Sequence, residues 1–244
     1  MTNSSHQSDA EAVGALGTVL VAGGAGVVGE CVVHALLARG ARVVVPSRSE
    51  SRLTALAGRV DPADQERLHL VLGDVGTEQG AATLRDAVPA EHGPLRAVVA
   101  SLGAWWEGEQ LVDVSSETWD RILRDNLTAH FLVARTFLPL LDHTAAPVYV
   151  TLAGIAADHP EPFAAPISIT GAAQRMMVRA LAVGDIGARV RLHEVAIMTP
   201  VVTDRWIGAP PEPDWLTGEV VGSYVADVVA PEFARPNELL LEIP

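Results

Sequence analysis

The chain has 244 residues, 49% of them hydrophobic, which suits one α/β domain with a sizeable core. Its formal net charge of −13 at pH 7 argues against nucleic acid and anionic membrane surfaces as partners. The single cysteine, Cys31, excludes an internal disulfide, and no clustered His/Cys motif indicates a metal site. All 17 basic residues are arginines, so no mechanism of this protein can use a lysine.

The first 14 residues are polar, and we predict that they form a disordered tail before a single folded domain at 15–244. This start lacks the basic end and the apolar stretch of a signal peptide. No apolar run approaches the roughly 20 residues that span a bilayer. We therefore expect a cytoplasmic protein that acts on a small molecule.

Strands and helices alternate along the rest of the chain. Apolar runs predict strands at residues 18–24, 41–48, 68–75, 95–102, 147–154, 188–198 and 238–243. Helical spacing predicts helices at 26–40, near 49–60 and 77–88, at 115–141, 166–181 and near 217–230. This alternation predicts a doubly wound, mostly parallel seven-stranded sheet, a Rossmann fold. Residues 199–216, rich in Pro and Trp, are the predicted mobile lid.

A glycine-rich turn follows the first strand. Gly24, Gly26 and Gly29 have GxGxxG spacing and open the first helix, with Gly23 and Val28 beside them. In this context the first glycine makes the tight turn, the second admits a pyrophosphate, and the third lets the helix pack on the strand. The N–H groups at the helix start would then face the phosphates. The alternative is a set of glycines that only shapes the turn.

The end of the second strand indicates which dinucleotide binds. An enzyme that selects NAD usually has an acidic residue there, whereas this chain has Pro46 and Ser47 followed by Arg48. A cation suits a 2′-phosphate, so NADP(H) is favoured over NAD(H). The alternative is that Arg48 is a solvated surface residue. Asp74, after the third strand, is expected either to accept from an adenine amino group or to cap the next helix.

These features, in this order, resemble the short-chain dehydrogenase/reductase family from about residue 17 to the end. The resemblance places the glycine-rich turn at 23–29, the family's Asp-Val pair on Asp74 and Val75, and its helix asparagine on Asn126. In that family the asparagine serves a proton relay, so the resemblance makes Asn126 a candidate catalytic residue; the alternative is an ordinary polar helix residue. Gly103 and Thr199 are further cofactor contacts that the resemblance implies.

The rest of the family's catalytic pattern is missing. The family's serine aligns with Gly154, its tyrosine with Ile167 and its lysine with Gly171. The Pro-Gly that borders the nicotinamide appears as Ile197-Met198. The resemblance therefore covers the nucleotide half of the site and not the proton-transfer half.

Three interpretations remain open. The first is an unusual NADP(H)-dependent oxidoreductase for an apolar or polycyclic carbonyl or alcohol, which works without the usual Tyr/Lys pair. The second is a non-redox enzyme on the same scaffold, such as a cyclase or isomerase. The third is a non-catalytic NADP(H) sensor or partner subunit. For the first, the candidate replacement proton carriers, each of which has a structural alternative, are His130, Asp158, His159 and His193.

The substrate pocket is expected beside the vacant catalytic positions. Trp105 and Trp106 are predicted to wall it, together with Gly154, Ile167 and the lid. Because small residues replace larger ones there, we expect an open cleft. The helices at 115–141 and 168–184 match those that form subunit interfaces in the family, so the resemblance also implies a homodimer or homotetramer.

Overall fold

The computed structural model describes residues 16–141, 146–208 and 210–243, so the predicted tail lies outside the described residues. Its strands are β1 (Thr18–Ala22), β2 (Arg42–Ser47), β3 (Leu68–Leu72), β4 (Leu95–Ala100), β5 (Val148–Gly154), β6 (Arg191–Ile197), β7 (Val201–Val202), β8 (Leu216–Thr217) and β9 (Leu240–Glu242). Its helices are α1 (Val27–Ala38), α2 (Glu50–Ala57), α3 (Glu78–His92), α4 (Ser116–Leu123), α5 (Ala129–Phe137), α6 (Ala165–Ala182) and α7 (Gly218–Val229). Across these described ranges, no helix combines the length and the apolar character needed to cross a bilayer.

The main sheet has seven strands in the order β3-β2-β1-β4-β5-β6-β9. Every neighbouring pair is parallel. This confirms the predicted doubly wound fold. The strand order reverses between β1 and β4, so the segments that follow these two strands diverge and leave a crevice at the carboxyl edge of the sheet.

Helices cover both faces of the sheet, as the uninterrupted apolar strands predict. One core lies between the sheet and α1, α2 and α7, with Val33, Leu56 and Val225 among its buried members. The second lies between the sheet and α3, α5 and α6, where Phe137 and Val178 are buried. With both faces covered, the loops at the two edges of the sheet are where a ligand can enter.

The helix predicted over 115–141 is divided. It begins where expected, because Ser115 is the N-cap of α4 and its side chain accepts a bond from the backbone N–H of Thr118 at 3.2 Å. Residues 124–128 then form a π-helical segment before α5 starts, and a 3₁₀ turn over Leu138–Leu140 ends it. Asn126 lies within this π-helical segment. A π turn is wider than an α-helical turn, so its backbone N–H and C=O groups have different hydrogen-bond partners.

The predicted lid has an internal framework. β7 and β8 pair with each other near its two ends. The Thr199 hydroxyl accepts the backbone N–H of Leu216 at 2.9 Å, which closes the base of the loop. The rings of Trp206 and Trp215 meet edge to face at 5.2 Å. Arg205 ties the loop to α1 through a 2.9 Å ion pair with Glu30.

Candidate active site

The glycine-rich turn lies at the crevice between β1 and β4. Gly23 has a φ of +83°, and a Cβ there would lie 2.0 Å from the backbone oxygen of Ser101. Only glycine combines this backbone conformation with so close an approach. The tight turn was predicted at Gly24 and lies one residue earlier, at Gly23. Gly24 instead packs between the side chains of Val33 and Val45.

The start of α1 has the geometry of a phosphate site. Gly26 is its N-cap, and a Cβ on Gly26 would meet only the Gly23 oxygen, at 3.0 Å. A Cβ on Gly29 would lie 2.2 Å from that same oxygen, so Gly29 lets the helix pack directly on the turn. Val28 lies in the first helical turn, where N–H groups have no partner within the helix. The residues present therefore fit a dinucleotide pyrophosphate.

The segment after β2 leaves Arg48 available for a ligand. The hydroxyl of Ser47 accepts the backbone N–H of Ser49 at 3.2 Å and shapes this turn. The Arg48 side chain is 68% exposed, and its Nη1 is 3.9 Å from Oδ1 of Asp125. A contact of this length on an exposed arginine contributes little free energy, so the guanidinium can turn toward a phosphate.

Asp74 and Val75 have different roles after β3. Oδ1 of Asp74 accepts the backbone N–H of Gly76 at 2.8 Å. The cap of α3 is Thr77, whose hydroxyl accepts from Gly80, so the alternative that Asp74 caps this helix was wrong. Val75 is buried in the core, so only its backbone is positioned near the crevice.

Asn126 holds the turn after β4. Its Oδ1 accepts the backbone N–H of Ala104 at 3.0 Å, and its Nδ2 donates to the Ile122 oxygen at 3.2 Å. Gly103, with a φ of +105°, lies so close that a Cβ there would be 2.2 Å from Oδ1 of Asn126. The side chain of Asn126 thus has a structural role at both its oxygen and its nitrogen, and a side chain at Gly103 would collide with it.

The backbone carbonyl of Asn126 also has a partner. The buried side chain of Gln174, on α6, donates a hydrogen bond to it. In the family that this chain resembles, the corresponding carbonyl belongs to a proton relay. In this protein the carbonyl accepts a hydrogen bond from the Gln174 side-chain amide. Gln174 was not predicted from the sequence. The feature that could have identified it is a polar residue one turn after Gly171 on the inward face of an apolar helix.

The three vacant catalytic positions differ in their surroundings. At Gly154, a Cβ would meet nothing within 4 Å, so this position faces open space. Ile167 is half-buried at the start of α6. At Gly171, a Cβ would lie 3.0 Å from Cβ of Ala157 and 3.1 Å from its Cα. The free volume expected at Gly171 is therefore absent, because Ala157 in the loop after β5 occupies this space.

That loop is fastened to α6 by polar contacts. Asp158 forms an ion pair with Arg175, whose Nε also donates to Oε1 of Glu194 at 2.6 Å. The backbone N–H of Glu161 donates to the hydroxyl of Ser168 at 3.1 Å. Burial raises the pKa of Glu194 against the opposing effect of Arg175. Because Asp158 is held by Arg175, its predicted role as a proton carrier is not supported.

Two of the three histidines proposed as proton carriers are buried and have structural partners, whereas the third, His159, is exposed. His130 is fully buried with its Nε2 3.2 Å from the Leu102 oxygen, and burial lowers its pKa to about 4. His193 is buried with its Nδ1 2.6 Å from the Glu238 oxygen, and burial lowers its pKa. In the described part of the chain no group of three or more His, Cys, Asp or Glu residues is arranged to hold a metal ion.

Aromatic side chains border the crevice. Trp105 is 59% exposed, and the ring of Trp106 packs against Gly108. The backbone N–H of Gly108 donates to the Phe163 oxygen at 2.9 Å, which joins this loop to the one before α6. Phe163 is itself half exposed. Apolar surface is therefore available at the mouth of the site.

Comparisons with known proteins agree with this arrangement. A sequence model of the family described as short chain dehydrogenase matches residues 17–206. The rhamnolipids biosynthesis 3-oxoacyl-[acyl-carrier-protein] reductase of Pseudomonas aeruginosa is 27% identical over 184 residues, which are 72% of this chain and 70% of that protein.

Solved structures share the fold at lower identity. The 3-ketoacyl-(acyl-carrier-protein) reductase from Brucella melitensis, complexed with NADH, gives a TM-score of 0.80 at 19% identity, covering 93% of this chain and 96% of that one. The alcohol dehydrogenase from the archaeon Thermococcus sibiricus, complexed with 5-hydroxy-NADP, gives 0.76 at 20% identity, covering 93% and 94%. Since the family match spans most of the chain, the protein belongs to the short-chain dehydrogenase/reductase family, whose members are oxidoreductases.

Proposed function

We propose that the protein is a cytoplasmic NADP(H)-dependent oxidoreductase that acts on a small apolar or polycyclic carbonyl or alcohol without the usual Tyr/Lys pair. The observation that carries the proposal is the glycine cradle. Gly23, Gly26 and Gly29 keep the backbone close and the start of α1 accessible, as a pyrophosphate requires. Arg48 supports the phosphorylated cofactor, since its guanidinium is exposed and only weakly paired.

The cofactor, when bound, supplies or accepts a hydride. The chain's own residues bind it, orient it and admit the substrate through the open space at Gly154. With Ile167 and Gly171 at the family's acid–base positions, the substrate oxygen exchanges its proton with water at that opening. Losing a general acid costs on the order of 10²–10⁴ in rate, which orientation of the reactants can offset.

The exposed aromatic side chains at the mouth of the site indicate the class of substrate. The exposed rings of Trp105 and Phe163 suit an apolar acyl chain or a flat ring system. The similar protein from Pseudomonas aeruginosa is named for a 3-oxoacyl substrate, which supports a carbonyl of this kind.

Cofactor binding is tested by calorimetry with NADPH and NADH. Arg48→Ala should weaken NADPH binding by about 1.5–3 kcal/mol, the range for a hydrogen bond to a charged group, and leave NADH binding nearly unchanged. Arg52→Ala, which removes another exposed arginine on α2, is the matched control and should affect neither. Equal losses for both cofactors in Arg48→Ala would remove Arg48 from this role.

A second candidate function is a non-catalytic NADP(H) sensor or partner subunit. It is favoured by Gln174 on the Asn126 carbonyl and by Ala157 against Gly171, which together close the relay. Single-turnover reactions of NADPH deuterated at C4 with apolar ketones separate the two. Deuterium in the product supports the oxidoreductase, whereas tight NADPH binding with no transfer to any ketone supports the sensor.

We also propose that the protein forms a homodimer or homotetramer through α6. Ile169 and Met176 on this helix and Val183 at its C-cap recur at seven-residue spacing and are 40%, 59% and 89% exposed. Phe131 on α5 adds a further exposed ring. Light scattering should show an oligomer that Met176→Glu dissociates. A monomeric wild-type protein at micromolar concentration would contradict this assignment.

A further inference from the structure

Two arginines lie side by side at the amino edge of the sheet, opposite the nucleotide crevice. Arg96 follows the first residue of β4, and Arg191 begins β6. Nη1 of Arg96 donates to the Val229 oxygen at 2.9 Å, and Nη2 of Arg191 donates to the Ala230 oxygen at 3.0 Å. Both guanidinium groups therefore meet the last carbonyls of α7, where the helix dipole favours a cation.

These contacts leave much of each guanidinium unpaired. Nη2 of Arg96 and both Nε and Nη1 of Arg191 are buried without a hydrogen-bond partner among the described residues. Arg96 is only 6% exposed. Burial and the neighbouring Arg191 lower the pKa of Arg96, and burial likewise lowers the pKa of Arg191. The acidic side chain that acts on both is Glu232, which is exposed and forms no ion pair with either in the described residues.

Such an arrangement is costly without a counter-charge. Buried charges in proteins are paired and hydrogen-bonded, because an unpaired buried ion costs several kcal/mol. Two adjacent cations add repulsion to that cost. This pair of arginines also contrasts with the net charge of the chain, which is −13.

A cavity gives access to this edge. It has a volume of about 330 Å³, and Arg189, Arg191 and Asn237 are among the residues that line it, whereas Arg96 is not. The unpaired nitrogen donors of Arg191 match the oxygen atoms of a tetrahedral oxyanion that enters this space. We propose that Arg96 and Arg191 form a binding site for a phosphate group, separate from the nucleotide site. A small local shift of the guanidinium groups toward the cavity completes it.

The test measures urea unfolding of the full chain in phosphate and in chloride at equal ionic strength. Phosphate should raise the unfolding midpoint of the wild type in a saturable manner, because a ligand that binds the folded state stabilises it. Arg191→Met should lose this response. Arg48→Ala is the matched control, since it removes a cation at the nucleotide end and should keep the response. Glycerol phosphate in place of inorganic phosphate shows whether the site takes a phosphate ester or the free ion.

Several outcomes would overturn the proposal. A response abolished by Arg48→Ala and kept by Arg191→Met would place the anion at the nucleotide site. A wild type that shows no specific response to phosphate would mean that the chain supplies its own counter-charge. In that case Glu232→Gln should lower the midpoint. Should Arg191→Met fail to fold, Arg96→Met is the second variant, with the same expected loss of the phosphate response.

Discussion

The two halves of the crevice use glycine differently. In the nucleotide half, Gly23 and Gly29 let backbone segments pack closely, and this packing leaves the helix start at Gly26 open to a ligand. In the proton-transfer half, Gly171 keeps a side chain away so that Ala157 of the same chain can fill the space. A glycine at a functional position therefore indicates a close approach, and only the structure identifies what approaches. Gly154 is a third case, where nothing does.

The largest effect should come from filling the nucleotide half. Gly29→Ala places a methyl group 2.2 Å from a backbone oxygen, so the turn or the helix has to move. We expect a loss of about 4 kcal/mol in the free energy of unfolding, together with the loss of NADPH binding. Gly154→Ala is the control and should change stability by less than about 0.5 kcal/mol. Urea unfolding and calorimetry measure both, and equal effects would contradict the contrast between these glycines.

The second-largest effect on stability should come from His130, whose ring contacts the turn after β4. Its pKa is about 4 in the folded protein, whereas in the unfolded chain it is near 6.5. The unfolded chain therefore binds a proton first as the pH falls. The contribution of His130 is fully present above pH 6.5, and about 3 kcal/mol is lost between pH 6.5 and 4. Unfolding measured across this range should show it.

His130→Gln isolates the contribution of this residue. It keeps an N–H donor for the Leu102 oxygen and cannot titrate, so stability should fall less steeply with pH than in the wild type. An identical pH dependence in the two proteins would show that His130 is solvated.

A smaller effect is expected where the lid meets the nucleotide half. Arg205 pairs with Glu30 at 2.9 Å, while Glu30 also accepts from Arg59. Because the Arg205 side chain is 42% exposed, Arg205→Ala should cost about 1 kcal/mol or less in stability. It should nevertheless speed proteolytic cleavage within 199–216. Arg39→Ala, which removes the pair with Asp227 at the C-terminal end of α1, should leave that cleavage rate unchanged.

The smallest effect is expected from restoring the family's side chains. The combined Gly154→Ser, Ile167→Tyr and Gly171→Lys protein should gain no appreciable ketone reduction. A lysine at 171 meets Ala157, and the Asn126 carbonyl is already bound by Gln174. Spectrophotometric assay of NADPH oxidation is the measurement. Turnover near 1 s⁻¹ or above would show that only these three side chains separate the site from an efficient enzyme.

The sequence predicts the fold and the place of the glycine-rich turn, for local reasons. Buried parallel strands are apolar along their length, so β1 can be predicted from its apolar run. The glycines of the turn lie close together in the sequence, so Gly26 can be predicted from their spacing. The tight turn was misplaced by one residue because Gly23 and Gly24 are adjacent and only the φ angle separates them.

The closed proton-transfer half could not be predicted in the same way. The bond between Gln174 and Asn126 joins residues 48 apart in the chain, and it depends on the π turn at 124–128. The contact of Ala157 with Gly171 depends on a loop held by Arg175. Such contacts arise from tertiary packing, and no local pattern marks them.

The position of β1 in the sheet has a consequence for synthesis on the ribosome. β1 is made before the other strands of the described sheet, and it lies inside that sheet, paired with β2 on one side and with β4 on the other. Until β4 emerges, an apolar strand edge with unpaired backbone groups is open to neighbouring nascent chains. A slow stretch of translation between β3 and β4 would lengthen that exposure, so the yield of this protein in a foreign host should depend on codon choice there.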